Sequence, residues 1–160
     1  DVERSRGLGD VYKRQVHGRV NKLGVPSFVF SREEFIAGVP ILEKLAEYDV
    51  CLIVLAGFMN KISDVILQAF PGKIVNIHPA LLPKYGGKGM YGMHVHEAVV
   101  KAGERESGIT IHYINEHYDE GAIIFQASCP VLPSDTPEEV ASKVHALEYA
   151  HYPHVIESLL

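Results

Sequence analysis

The segment Asp49–Pro79, "DVCLIVLAGFMNKISDVILQAFPGKIVNIHP", decides the fold. Its first eight residues, Asp49 to Ala56, are almost wholly apolar and rich in branched side chains. Such a run reads as a strand buried on both faces, the habit of a parallel sheet with helices on each side. Gly57 closes it. Asn60 to Phe70 follows, with Ile62, Val65, Ile66 and Ala69 at helical spacing. Ile74 to Ile77 is again an apolar strand, and it delivers Asn76 and His78 just before Pro79. Strand, helix, strand is the unit of a doubly wound sheet.

The pattern extends both ways. Upstream, "PSFVF" (Pro26 to Phe30) is a short apolar strand, and Ser31-Arg32-Glu33-Glu34 is a capping box. Pro40 sits where a first helical turn tolerates it, with Leu42, Leu45 and Ala46 as that helix's apolar face. Downstream, Met93 to Ala102 reads as a helix closed by Gly103. Gly108 to Asn115 alternates with period two, and Ala122 to Val131 is a strand entered through a turn at Glu120-Gly121, so the two can pair as a hairpin. Thr136-Pro137-Glu138-Glu139 opens the last helix, with Val140, Val144 and Leu147 as its stripe and Pro153 as a break or kink. The expected fold class is α/β: a doubly wound, Rossmann-like, mostly parallel sheet with helices on both faces.

Residues 1–15, "DVERSRGLGDVYKRQ", are charged and aperiodic. They read as a disordered or non-native head and resemble adapter read-through. The domain proper is expected over 16–160. A chain of 160 residues is long enough for one domain with a real core. The net charge of −5 gives no electrostatic support for nucleic-acid binding. The longest apolar run, Val50 to Met59, is too short to span a bilayer, and the N-terminus is polar rather than signal-like. A cytoplasmic location is expected, with Cys51 and Cys129 as buried free thiols.

Asn76 and His78 stand at a strand end, and "EHYDEG" (Glu116 to Gly121) follows another. In open α/β sheets the site lies beyond the carboxyl ends of the strands, so Asp119 is expected near His78 in space. An amide N–H can hold a developing oxyanion. An imidazole can serve as general acid or as a cation beside that oxygen, and a carboxylate orients it. No serine or cysteine nucleophile joins the set, which favours direct acyl transfer to an incoming amine. His94, His96 and Glu97 invite a metal reading, but histidines two apart on a helix diverge, so no metal is expected. His94 and His96 are expected to flank the mouth of the site. His112 reads equally as a satisfied core histidine or as pocket wall. His145, His151 and His154 read as surface groups, with His145 nearest the site, and Tyr149 and Tyr152 as core or interface.

Four stretches, "AGFM" (56–59), "NIHPALLPKY" (76–85), "GITIHYINEHYDEGAIIFQ" (108–126) and "HALEYAHYP" (145–153), resemble the phosphoribosylglycinamide formyltransferases. The likeness runs from Val16 to Leu160 almost without a gap, and "GGKGMYGMHVHEAV" (86–99) looks like a loop variant of part of that family. The resemblance implies glycinamide ribonucleotide as substrate and 10-formyltetrahydrofolate as formyl donor. It implies Asn76, His78 and Asp119 as catalytic residues. Leu55, Met59, Ile62, Ile74 and Ile114 would line the pterin pocket, with Glu116, Glu120 and Gly121 in the loop over the pterin edge. Pro79 and Glu148 would border the ribonucleotide. The expected partners are these small molecules, with no nucleic acid and no membrane, and the expected state is a monomer or weak homodimer.

Two departures stand out. The family opens with a strand and a glycine-rich phosphate loop, and this sequence shows nothing equivalent. Without that first strand a long apolar sheet edge is expected. Asn60 stands where many members carry a basic residue facing the folate tail, with Lys61 beside it. The competing readings are another folate-dependent formyltransferase, a formyl-folate hydrolase, and a folate-binding remnant without turnover.

Overall fold

The computed structural model describes residues 18–117 and 119–160, so the head at 1–15 lies outside the described residues. The chain divides into two compact units, 1–33 and 34–160. In the first, residues 18–22 are helical. Pro26–Phe30 is not a strand, contrary to the sequence reading: the four-stranded sheet does not include it, and Val29 is exposed. Apolar composition alone does not make a strand; membership of a hydrogen-bonded sheet does.

Helix α1 (Arg32–Ala37) starts directly after Ser31. Gly38 then takes a left-handed conformation with φ 76°, and α2 (Val39–Glu47) restarts with Pro40 in its first turn. A Cβ at Gly38 would overlap the Ser63 hydroxyl, so the break between the helices demands glycine there. The second unit continues through β1 (Ile53–Leu55), α3 (Asp64–Ala69), β2 (Ile74–His78), α4 (Met93–Lys101), β3 (Glu106–Tyr113), β4 (Ile123–Pro130) and α5 (Pro137–Leu159).

The sheet order is β1-β2-β3-β4. β1 and β2 are parallel, whereas β2–β3 and β3–β4 are antiparallel. The expected hairpin is therefore present, and the expectation of a mostly parallel sheet is corrected to a mixed one over the described strands. The loop between β3 and β4 returns the chain antiparallel as a hairpin, and the longer connection through α4 brings β3 back antiparallel to β2.

Alternation sorts the sheet's two faces. Ile77, Ile109 and Ile111 pack with Val99 of α4 and Val140, Val144 and Tyr152 of α5. Ile74, with Ile53, Leu55 and Ile114, packs against Ile62 and Ile66 and against Ile41 and Leu42 of α2. Helices thus cover both faces, as expected. β1 is shorter than the Asp49–Ala56 strand read from sequence, and it is not buried on both faces: Val54 and Cys51 are exposed. Among the described strands it pairs on one side only, and an edge position leaves alternate side chains open.

α3 begins four residues later than the sequence implied, which frees 57–63 as a loop. α5 is capped as read: Thr136 accepts from the Glu139 N–H while Glu139 accepts from the Thr136 N–H. It runs on through Pro153 to Leu159 instead of breaking. Tyr149 is exposed, whereas Tyr152 is buried and its hydroxyl donates to the Leu55 carbonyl (2.7 Å), tying α5 to the end of β1.

Candidate active site

β2 carries Asn76 and His78 two residues apart, hence on one face of the sheet. The antiparallel register sets His112 of β3 opposite Asn76 and Thr110 opposite His78. Cross-strand partners share a face, so four polar side chains gather there. All four are buried. The loop between β3 and β4 then folds back over them and brings in Asp119, held in a left-handed conformation with φ 53°. Asp119 does meet His78, but not by the route expected. The carboxyl ends of β2 and β3 point in opposite directions, and it is the returning loop that closes the distance.

The Asp119 carboxylate lies 3.7 Å from Nδ1 of His78 and 3.6 Å from Nε2 of His112. It also accepts a hydrogen bond from the Gly87 N–H (2.9 Å), which ties it to the loop ahead of α4. On the other side of the His78 ring, Nε2 lies 2.7 Å from the Tyr85 carbonyl. A carbonyl only accepts, so Nε2 carries a proton. Tyr85 is itself fixed: its φ is 56° and its hydroxyl donates to Glu104 (2.9 Å), which also pairs with Lys84. Thr110 pins the segment after β2 by donating to the Ala80 carbonyl and accepting from the Leu82 N–H.

A cleft of about 450 Å³ opens over this group. Asn76, His78, Pro79 and Asp119 line it, as do Leu55, Met59, Asn60, Ile62, Ile114, Glu116 and Glu148. Three expected residues stay off its wall. Ile74 is packed in the core beneath. Glu120 is exposed on the loop. Gly121 lies against the Tyr113 carbonyl so closely that a Cβ would overlap it, and its part is to let the hairpin turn. Lys61 lines the cleft beside Asn60.

The sequence reading undervalued the opposite wall. His96 of α4 is buried rather than at the mouth, with Nδ1 unpartnered among the described residues. Its ring stands edge-on to His145 of α5 at 6.4 Å. Burial, reinforced by the neighbouring His145 and His78, pushes the His96 pKa down to about 4, so it is neutral. Glu148, one turn beyond His145, is half-buried, and that burial raises its pKa against the opposing pull of His145. His151 is not a free surface group, since it packs on Phe125. Among the described residues no cluster of three or more His, Cys, Asp or Glu side chains is arranged to hold a metal ion.

Residues 10–156 match the formyl transferase family model. Phosphoribosylglycinamide formyltransferase of Bacillus subtilis is 38% identical over 155 residues, covering 94% of this chain and 77% of that protein. The chloroplastic phosphoribosylglycinamide formyltransferase of Arabidopsis thaliana is 42% identical over 85% of this chain, which spans about half (48%) of that protein's length. Among solved structures, glycinamide ribonucleotide transformylase 1 from Geobacillus kaustophilus superposes with a TM-score of 0.82 at 36% identity, covering 91% of this chain and 77% of that one. The Streptococcus pneumoniae phosphoribosylglycinamide formyltransferase gives 0.81 at 36%, covering 90% and 79%. With a family model spanning nearly its whole length and a site assembled from the segments that carry the likeness, the chain belongs to the formyl transferase family, among the phosphoribosylglycinamide formyltransferases.

Proposed function

We propose that the protein transfers a formyl group from 10-formyltetrahydrofolate to the amine of glycinamide ribonucleotide; its relatives are named for formyl transfer to that acceptor. One observation carries the reading: Asn76, His78 and Asp119 converge at the floor of a single cleft with an apolar wall from Leu55, Met59, Ile62 and Ile114. That wall suits a flat pterin ring, and the His145–Glu148 wall suits a polar, amine-bearing partner.

In this reading the amine nitrogen attacks the formyl carbon, and the carbonyl oxygen becomes an oxyanion. An N–H of Asn76 and the charge of a protonated His78 stabilise it. Both His78 nitrogens face fixed acceptors, the Tyr85 carbonyl and Asp119. The ring is therefore held in one orientation, its Nε2 proton committed to the Tyr85 carbonyl rather than passed to substrate. Collapse breaks the bond from the formyl carbon to the folate N10, which takes up one proton while the amine gives one up. Glu148 holds the amine end. The site works on small molecules, in the cytoplasm, without a metal ion.

Mixing the protein with both substrates tests this. Tetrahydrofolate release that requires glycinamide ribonucleotide supports the proposal. Release without the amine would make water the acceptor and the protein a hydrolase. Folate binding with no release would leave the binding-remnant reading standing.

A further inference from the structure

His112 is a buried histidine that the proposed chemistry does not use. It is 0% exposed and sits directly across from Asn76. Its Nδ1 is 3.1 Å from the Tyr113 carbonyl, and its Nε2 is 3.3 Å from Nδ2 of Asn76. The carbonyl can only accept, so Nδ1 carries a proton. In a neutral ring Nε2 is then a bare acceptor, and the Asn76 group facing it must be the amide nitrogen. Asn76 thereby keeps its second N–H uncommitted among the described hydrogen bonds, and its Oδ1 is buried without a partner. Reversing the amide would set Oδ1 against the lone pair of Nε2, two acceptors in contact.

We propose that His112 is a positioning residue for formyl transfer, acting through Asn76: as a neutral acceptor it dictates which end of the amide meets the ring and which is left for the reacting oxygen. The proposal rests on the formyl-transfer reading above.

The surroundings support a neutral ring. The groups facing it are Asp119 and His78, with Asn76 from β2 and the Tyr113 carbonyl. Burial is the largest influence and lowers its pKa; Tyr113 and Asp119 pull it up and His78 lowers it further. A protonated ring would turn Nε2 into a donor and favour the reversed amide, so the Asn76 orientation depends on the ring's charge.

A double-mutant cycle separates this role from a merely structural one. His112→Phe removes the acceptor and is expected to lower kcat about 10- to 100-fold, the cost of an unmade buried hydrogen bond. Its KM for formyl folate should change little. In an Asn76→Ala background the same substitution should cost almost nothing more. An equal further loss there would overturn the proposal, because His112 would then act independently of Asn76. His112→Gln offers an acceptor again and should recover most of the loss; a variant that folds and recovers none contradicts the proposal.

A second readout needs no activity. Long-range nitrogen–proton NMR of the parent protein should show His112 neutral, with its proton on Nδ1, near pH 7. A ring protonated on Nε2 there would overturn the proposal whatever the assay gives. Should the parent protein transfer no formyl group at all, the functional reading fails, and the NMR result alone decides the orientation of Asn76.

Discussion

At the residue scale, Asp119 is the hinge of the account. It lies at similar distances from His78 and His112 while accepting from Gly87, so one carboxylate faces two imidazoles and anchors a loop. Glu148 has the opposite character. It is half-buried, and its burial favours the neutral acid against the opposing influence of His145. In the proposed reaction the substrate amine donates an N–H to this carboxyl group. Glu148→Gln is expected to raise KM for glycinamide ribonucleotide about 10- to 100-fold, the worth of a charge-assisted bond, with kcat changed far less. Steady-state kinetics with the amine varied at saturating formyl folate checks this. A fall confined to kcat would move Glu148 from binding to chemistry.

At the element scale, the hairpin β3–β4 is the critical part, because its turn carries Asp119. Gly121 packs on the Tyr113 carbonyl with no room for a side chain. Gly121→Ala should cost about 1–3 kcal/mol, the usual penalty of overpacking, and should also displace the turn. Urea unfolding reads the first effect. A loss of transfer activity larger than the loss of stability explains reads the second; full activity in the folded variant would show that the turn tolerates the shift.

Much of this scale was legible in the sequence, and the reasons are physical. Strong punctuation gave the α5 cap at Thr136, the closure of α4 at Gly103 and the strands on either side of the turn. Asn76, His78 and Asp119 were legible from strand-end position and family likeness together. Register was not. Nothing in "GITIHYIN" alone says that His112 lies opposite Asn76, because register is a property of the pair of strands. The same limit hid the mixed sheet and left β1 overlong, since a run as apolar as "DVCLIVLA" does not reveal whether it has one neighbour or two.

At the scale of the whole molecule, two buried histidines link stability to pH. His96 has a folded pKa of about 4 against an ordinary 6.5, and burial also lowers that of His112. The unfolded chain binds protons at both positions before the folded one does, so both contribute stability above about pH 6.5, and the His96 share is lost as pH falls toward 4. His78 and His145 face His96 and reinforce the lowering of its pKa. His96→Gln should flatten the acid side of the stability profile by on the order of 1–3 kcal/mol between pH 7 and pH 4. Urea midpoints across that range check it, and parallel profiles for variant and parent would show that His96 is not the group responsible.

The most direct test of the account is the single-turnover rate of formyl transfer in Asp119→Asn beside the parent protein, with formyl-folate affinity measured in both. Asparagine keeps the size and removes the charge that orients His78. The expected result is a rate lower by about 10²- to 10⁴-fold with folate affinity nearly unchanged. Equal rates in the two proteins would contradict the role given to Asp119, and with it the catalytic reading of the cleft.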